Sequence, residues 1–410
     1  MKNIIFKMFL VSMVLFISVN SLSAKIWGTV GEYAYFFDES KPIATFRGMA
    51  DGYDMPDSIS IPEEVVYNNK KYTVNAVGGS AFWGIKNVRI INFPNSITSI
   101  LEDCIVYASA LEKIYFGENV NLIEESNFYQ CNNIKEVHIA NLKNWCSAKV
   151  SSIPFKKETE LYVDNKKISD LYIPMGVTSV SDRVFCGCRS LKNVCFPSSV
   201  TSIGILSFGS CENLEKIELP DNITNVSQQA FDGCKNAKTL KISPNMRIID
   251  NGVFSGCESL EKIDVPWGIT EIHYDAFGGC TSLKTLVFPK ALRKIESFIL
   301  ILSNSITDIY NYSDYPSLIS VDARAWNSCS NISNVTLHVP ASAMDRYKAS
   351  ADWKFFRDIV PIESTDDISE ITLKSSSKTE IYDLNGVRID KLRKGVNLVK
   401  SANGVVKILR

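Results

Sequence analysis

Cysteine is the residue type whose spacing in this chain most clearly invites a chemical interpretation. The chain has 410 residues and 11 cysteines. Five of them follow one another at steps of 23 residues (211 − 188 = 23): Cys188, Cys211, Cys234, Cys257 and Cys280. Structural zinc needs four converging ligands, which a linear series does not provide. In-register side chains on strands about 4.8 Å apart also stay beyond the roughly 3.8 Å between disulfide Cβ atoms. The spacing therefore predicts a ladder of buried thiols that act as small apolar side chains.

The redox state of the cysteines outside this ladder is left open by the sequence. Four of them are in this position: Cys104, Cys146, Cys186 and Cys195. Within the ladder, a serine in place of Cys234 would bury a hydroxyl for which the pattern offers no partner. We therefore expect Cys234→Ser to cost about 1–3 kcal/mol of stability.

Histidines and carboxylates are the other candidates for chemistry, and they argue against an enzyme. The histidines are His138, His273 and His338. None lies in a motif such as G-x-S-x-G or H-E-x-x-H. Glu218 and Asp264 are the best carboxylate pair for glycoside hydrolysis, but two strand steps would separate them by about 10 Å, beyond the roughly 5.5 Å of retaining enzymes. Lys241 between them would keep both ionised, so neither would act as an acid. No catalytic residue, cofactor or metal is predicted.

The elements that position these residues follow from the same period. Apolar residues keep step with the cysteines at three other positions of the unit. A phenylalanine stands three residues before each cysteine: Phe185, Phe208, Phe231, Phe254 and Phe277. A fixed period of about 20–50 residues predicts a solenoid. Each unit is too small to bury its own apolar side, so the units must stack on one another.

Each unit can be divided into three segments. The pattern L-x-x-I-x-L-P, as at Leu214–Pro220, predicts a short strand with one buried face that ends at the proline. It is followed by V-T-x-I, as at Val200–Ile203. The third segment, A-F-x-G-C, as at Ala230–Cys234, is interpreted as one helical turn.

The combined pattern resembles the BspA-like, Treponema-type leucine-rich repeat of bacterial surface proteins over about residues 59–339. The resemblance implies a repeat solenoid, a leucine-rich-repeat horseshoe with a parallel β-sheet on the concave face and short helical turns on the convex face. It also implies a secreted protein that binds host or microbial partners.

The first residues of the chain predict export. Lys2 and Lys7 precede the apolar run Met8–Val19, and small residues follow it, so residues 1–24 are interpreted as a signal peptide. The apolar run is too short for a membrane helix, so no integral membrane segment is expected in the mature chain. The net charge of −1 gives no field that would attract nucleic acid.

The rest of the chain divides into segments of different composition. In order these are an N-terminal β cap (25–58), the solenoid (59–340, with insertions near 142–163 and 304–328), a C-terminal cap (341–362), a linker (363–379) and a small β segment (380–410). The last segment resembles a shortened form of the C-terminal sorting domain of type IX secretion in Bacteroidetes. Whether it directs export is left open.

One outward-facing position on each predicted strand forms a column across the concave face. Tyr115, His138 and Tyr172 are expected to be neighbours in this column. Polar residues flank them from two positions earlier on the same strands: Lys113, Glu136 and Asp170. Flat amphipathic side chains bind peptide or sugar rings at low entropic cost, so this group is the predicted binding site. The alternative is that the rings only cover the sheet.

Two further groups lie nearer the C-terminus. Tyr310, Tyr312 and Tyr315 form a secondary binding candidate, with Thr336 expected beside Tyr310 in the column. The charges of Glu218, Lys241 and Asp264 alternate, and we expect each to meet its opposite on the next strand.

These observations predict a secreted or cell-surface binding protein. The favoured interpretation is an adhesin that contacts a host extracellular matrix protein, a glycan or a bacterial surface partner through its concave face. The alternative is a non-catalytic structural or assembly protein of the cell envelope.

Overall fold

The computed structural model describes residues 25–326 and 328–362, with four short stretches near the C-terminus (380–382, 388–389, 396–401 and 404–409). The predicted signal peptide at 1–24 and the predicted linker at 363–379 lie outside the described residues.

An antiparallel meander begins the described chain. Its strands are β1 (Lys25–Val30), β2 (Tyr33–Asp38) and β3 (Ile43–Met49). β3 then pairs in parallel with β6 (Lys70–Val77), which forms a hairpin with β5 (Glu64–Tyr67). Tyr35, Phe37 and Phe46 of the meander are fully buried, so the cap has an aromatic core of its own.

A ladder of strands, parallel from repeat to repeat, forms the concave face of the solenoid. Its members are β4 (Ser58–Ser60), β7 (Ile90–Asn92), β9 (Lys113–Phe116), β11 (Glu136–Ile139), β13 (Glu160–Val163), β15 (Asp170–Tyr172), β17 (Asn193–Cys195), β19 (Lys216–Glu218), β21 (Thr239–Lys241), β23 (Lys262–Asp264), β25 (Thr285–Phe288), β27 (Asp308–Asn311), β29 (Thr336–Val339) and β30 (Asp358–Pro361). The central residue of each short strand points into the core, as Ile217 does in β19, while its two neighbours face solvent. The predicted solenoid with a parallel sheet is therefore confirmed.

A second ladder of two-residue strands runs beside the first, built from the V-T-x-I segments. Its members are β8 (Ser99–Ile100), β10 (Leu122–Ile123), β12 (Lys149–Val150), β16 (Ser179–Val180), β18 (Ser202–Ile203), β20 (Asn225–Val226), β22 (Ile248–Ile249), β24 (Glu271–Ile272), β26 (Lys294–Ile295) and β28 (Ser320–Val321). The sheet order β1-β2-β3-β6-β8-β10-β12 shows that the N-terminal meander continues this second ladder.

The convex connections of the regular repeats are turns rather than the helical turns that the sequence predicted. Arg183 and Gly187 both have left-handed backbone conformations, with φ of 61° and 78°. The N–H of Gly187 donates to the carbonyl oxygen of Gly209, one repeat later, at 2.7 Å. A helical turn would use its N–H groups within the turn, whereas these groups join successive repeats. Helices elsewhere in the described residues are short: α1 (Leu142–Cys146), α2 (Met344–Ala349) and 3-10 helices at Pro316–Leu318, Ile332–Asn334 and Ala341–Ala343.

The core follows the period of the sequence. The rings of Phe185 and Phe208 stack at 5.4 Å between centroids, and the phenylalanines of the next repeats continue the stack. The five ladder cysteines are fully buried and free, so the predicted thiol ladder is confirmed. Of the cysteines left open, Cys104 and Cys146 are buried, Cys186 is partly buried and Cys195 is exposed, all four as free thiols.

An extra hairpin interrupts the repeats in the middle of the concave ladder. Glu160 of β13 pairs with Glu136 of β11, a step of 24 residues that is close to the regular period (160 − 136 = 24). The chain then reverses through Asp164 and Asn165 into the antiparallel strand β14 (Lys166–Lys167). The segment expected to hold the extra residues, 142–163, is thus nearly regular, and the added residues form the hairpin.

Aromatic side chains cover the last repeat. Trp326, Tyr347 and Trp353 are fully buried, and the Trp326 and Trp353 rings lie 5.3 Å apart. β30 adds a final strand beside β29. Near the C-terminus, β31 (Glu380–Tyr382), β32 (Arg388–Ile389), β33 (Val396–Ser401) and β34 (Gly404–Leu409) pair as an antiparallel sheet in the order β32-β31-β33-β34.

Candidate functional site

Three aromatic rings stack across adjacent strands of the concave ladder. The register sets Tyr115 of β9 opposite His138 of β11, and His138 opposite Tyr162 of β13. The centroid of the His138 ring lies 4.0 Å from that of Tyr115 and 4.3 Å from that of Tyr162, with interplanar angles of 24° and 13°. We call these three residues the concave stack. His138 is only 8% exposed because a ring covers each of its faces.

Ionised groups hold the concave stack from below. Nε2 of His138 lies 2.9 Å from Oε2 of Glu136, and the other oxygen of this carboxylate lies 2.8 Å from Nζ of Lys113. The Tyr162 hydroxyl donates to Glu160 at 3.3 Å. Nδ1 of His138 is buried and, within the described residues, has no hydrogen-bond partner.

The charges and the burial of the site shift two pKa values. Burial alone would raise the pKa of Glu136, but hydrogen bonds from Lys113 and His138 hold it below the usual range. The pKa of Tyr162 is raised by loss of hydration and by the neighbouring carboxylates of Glu136 and Glu160. Glu136 therefore stays ionised and Tyr162 stays a hydrogen-bond donor near neutral pH.

Tyr172, which the sequence placed beside His138, is not part of the concave stack. It lies on β15, where it pairs with Cys195 of β17, and 69% of its surface is exposed. The hairpin β13–β14 lies between β11 and β15 in the chain, so Tyr162 occupies the position expected for Tyr172. Asp170, expected to flank the same group, accepts a hydrogen bond from Asn193 at 2.5 Å instead.

The secondary candidate near the C-terminus contains a second tyrosine–histidine stack. Tyr310 stacks on His338, with ring centroids 4.1 Å apart, and Nε2 of His338 lies 2.8 Å from Asp308. Thr336, expected beside Tyr310, pairs with Asp308 instead. The 3-10 helix Ile332–Asn334 precedes β29, and the paired residues Asp308 and Thr336 are 28 apart, which shifts the register (336 − 308 = 28).

The two other tyrosines of this cluster have different surroundings. The Tyr312 ring meets Trp267 edge-on at 5.0 Å, and burial, followed by the charges of Tyr310 and Asp264, raises the pKa of Tyr312. Tyr315 is 54% exposed, with the Arg346 guanidinium 5.1 Å from its ring. The three tyrosines therefore do not form one surface.

The alternating charges in the middle of the ladder are paired differently from the expectation. Glu218 is opposite Lys241 in the register, but its carboxylate lies 3.3 Å from Lys216 of its own strand. Lys241 approaches Asp221, at 3.5 Å, and Asp264 binds Lys262 of its own strand at 3.0 Å. These exposed pairs lie mainly along strands and contribute little stability.

The described surface carries open grooves. One, of about 580 Å³, crosses the charged half of the concave ladder between Lys238 and Lys262. Within the described residues, no three His, Cys, Asp or Glu side chains are grouped so that they could hold a metal ion. The concave stack is therefore a surface suited to contact with a partner.

Two site residues escaped the sequence analysis. Tyr162 carries a weak signal, because it follows His138 by 24 residues in an alternating E-L-Y-V segment. His338 carries none, because its partner Tyr310 is 28 residues earlier, out of step with the 23-residue period.

Comparison with known proteins supports the repeat architecture. The model of the family described as BspA type leucine rich repeat region matches the chain in six copies, over residues 60–153, 158–277 and 247–351. Among curated protein sequences, none matches the chain.

Several solved structures are similar to the chain at low identity. A leucine-rich repeat protein from Bacteroides ovatus is 19% identical, with 82% of this chain and 100% of that chain covered and a TM-score of 0.44. One from Eubacterium ventriosum is 17% identical, with 75% and 95% covered and a TM-score of 0.46. A leucine rich cell surface protein from Faecalibacterium prausnitzii is 20% identical, with 76% and 99% covered and a TM-score of 0.32.

Proposed function

Because the chain belongs to the BspA type leucine rich repeat family, we propose that it is a secreted or cell-surface binding protein with an adhesin-like, non-catalytic role. Export through the segment at 1–24 is part of the proposal. Within the described residues, no helix combines the length and the apolar character needed to cross a membrane.

The concave stack is the observation that carries this proposal. Binding energy usually concentrates in a few aromatic or arginine anchors, and a ring held between two others loses little entropy when a partner arrives. The ion pairs of Glu136 with Lys113 and His138 hold the stack in place before binding. The unpaired Nδ1 of His138 costs stability, which favours a functional reason for the arrangement over simple coverage of the sheet.

The proposed partner is a host extracellular matrix protein, a mucin-type glycan or the surface of another microbe. A ladder of parallel strands about 4.8 Å apart offers a long, regular surface that suits an extended partner. Tyr172 and Asp170 lie on the next part of the same ladder and are proposed as outer contacts, with Tyr310 and His338 as a second anchor.

A binding screen tests the proposal. The secreted form, residues 25–410, is immobilised and exposed to matrix proteins, mucin glycans and whole bacteria, beside a Tyr115→Ala/Tyr162→Ala double variant. We expect saturable binding to at least one partner, weakened in the double variant. If the protein binds only itself, and filaments or sheets form instead, the structural role in the envelope is correct and the adhesin proposal is wrong.

A further inference from the structure

Three exposed aromatic rings form a row on the turns of the first repeats, outside the concave face. They are Trp83, Tyr107 and Tyr129, with exposed fractions of 49%, 46% and 56%. Neighbouring rings meet edge to face, with centroids 5.7 Å and 5.6 Å apart. We call these three residues the turn row. Large exposed rings in contact with one another are unusual on a surface that has only solvent to face.

The backbone at Tyr107 indicates that the row is not a by-product of packing. Tyr107 has φ of 57°, a left-handed conformation that is strained for a bulky residue. The equivalent turn position is glycine in five other repeats: Gly84, Gly187, Gly233, Gly256 and Gly279. A residue kept in a strained conformation, with a half-exposed side chain, calls for a functional explanation.

The surroundings of the turn row indicate an uncharged ligand. The three turn segments, 80–84, 103–107 and 126–130, contain one charged residue, Asp103. Exposed neutral amides lie at the Tyr129 end, where Asn132 donates to the Gln130 side chain at 3.2 Å. This differs from the concave stack, where Lys113 and Glu136 form an ion pair.

The turn row offers no strand edge to a peptide. The N–H of Tyr107 donates to the carbonyl oxygen of Tyr129 at 2.9 Å, and the N–H of Gly84 donates to Val106 at 2.7 Å. These backbone groups are used between repeats, so a peptide could not gain the main-chain hydrogen bonds of strand addition.

From these observations we infer that Trp83, Tyr107 and Tyr129 form a binding site for a neutral carbohydrate chain. The C–H groups on the flat side of a sugar ring pack on the electron-rich face of an aromatic ring. The indole N–H and the phenol hydroxyls donate to sugar hydroxyls at the rim. A row of rings along successive repeats fits a linear chain of sugars better than a single sugar. The inference does not rest on the concave face, so either can fail alone.

Titration calorimetry with four neutral sugars tests the inference on the full chain: cellohexaose, maltohexaose, xylohexaose and the hexamer of N-acetylglucosamine. Wild type is expected to bind at least one of them. Trp83→Ala is expected to weaken this binding by about tenfold or more. Trp267→Ala is the matched control, because Trp267 is a 62% exposed tryptophan in another cluster, and it should bind like wild type.

Tyr107→Gly separates binding from folding. It removes the strained side chain, so the melting temperature should hold or rise while sugar binding falls. The inference is wrong if no sugar binds wild type at millimolar concentration, or if Trp83→Ala binds as wild type does. It is also wrong if sedimentation shows that Trp83→Ala converts a dimer to a monomer without changing sugar binding, since the row would then be a self-association surface.

Discussion

The thiol of Cys234 donates a hydrogen bond to the carbonyl oxygen of Phe208, one repeat earlier, with 3.5 Å between Sγ and O. Four other cysteines of the repeats, at 131, 211, 257 and 280, make the same bond to the residue 26 positions before them. Ser303 occupies the equivalent position in a later repeat, and its hydroxyl donates to Phe277 at 2.9 Å. The cysteine position is therefore a built-in donor site, and the expectation that a serine there lacks a partner is wrong.

This geometry changes the expected order of two variants. Cys234→Ser should lie within about 1 kcal/mol of wild type, because the hydroxyl finds the Phe208 carbonyl. Cys234→Ala should lose about 1–2 kcal/mol, because it removes both the hydrogen bond and the packing of the sulfur. Denaturant titrations of both variants give the comparison. An alanine variant as stable as the serine variant would show that the hydrogen bond contributes nothing.

The thiol ladder should be chemically silent in the folded protein. Burial raises the pKa of Cys188 and Cys280 to about 12, and that of the three cysteines between them well above the ordinary 9.0. Because the thiolate is the reactive form, iodoacetamide should leave these five unlabelled until denaturant exposes them together. Cys195, which is exposed, should react in the native state and serves as the internal control.

The same pKa shifts predict a loss of stability in alkali. The unfolded thiols ionise near 9.0, whereas the folded thiols keep their protons, so the folded state is favoured less and less as the pH rises above 9.0. The free energy of unfolding should therefore fall between about pH 8 and about pH 10. The fall should be shallower in Cys234→Ser, which has one fewer ionising thiol. Equal slopes would place the loss in other groups.

The concave stack makes unequal predictions for three tyrosines. Tyr115→Ala and Tyr162→Ala should each weaken partner binding by about 1–3 kcal/mol, with folding preserved because both rings are on the surface of the ladder. Tyr172→Ala should have a smaller effect, because Tyr172 lies outside the stack. Lys241→Ala, in the charged half, is the control and should bind normally. Strong loss with Lys241→Ala alone would move the site to the charged half.

Asp275 is expected to destabilise the protein when ionised. Its Oδ2 accepts a hydrogen bond from Ser255, but Oδ1 is buried without a partner in the described residues. Burial raises its pKa above the ordinary 3.8, so its contribution to stability falls as the pH rises from 3.8 through the folded value. Asp275→Asn should raise the melting temperature at neutral pH by about 1–2 °C, since asparagine also tolerates the left-handed backbone there.

The gain from Asp275→Asn should disappear at about pH 3, where the aspartate is itself protonated. Asp264→Asn, at an exposed aspartate, is the matched control and should change the melting temperature little. A gain that persists unchanged in acid would mean that the amide contributes by hydrogen bonding and not by removal of charge.

The C-terminal segment 380–410 should be dispensable for the stability of the solenoid. The aromatic cap formed by Trp326, Tyr347 and Trp353 precedes it in the chain. Deletion should leave the melting temperature nearly unchanged and should reduce the amount of protein on the cell surface. Normal surface levels of the truncated protein would contradict a sorting role for this segment.

The sequence alone determined the repeat and what each repeat buries. Cys188 and Phe185 recur at a fixed step because stacked units present the same environment once per turn. That regularity was sufficient to predict the solenoid, the parallel ladder and the free, buried thiols. The type of the convex turns was missed, because their left-handed residues, such as Arg183, donate to the next repeat through backbone groups that side-chain patterns do not report.

Only the tertiary structure decided which side chains meet where the period breaks. Tyr162 rather than Tyr172 joins His138 because a hairpin adds a strand, and His338 rather than Thr336 joins Tyr310 because a 3-10 helix shifts the register. Within a regular repeat, sequence spacing sets strand register directly. At an insertion, register depends on how the added residues turn and pair, and that is settled by backbone hydrogen bonds available only once the neighbouring repeats are in place.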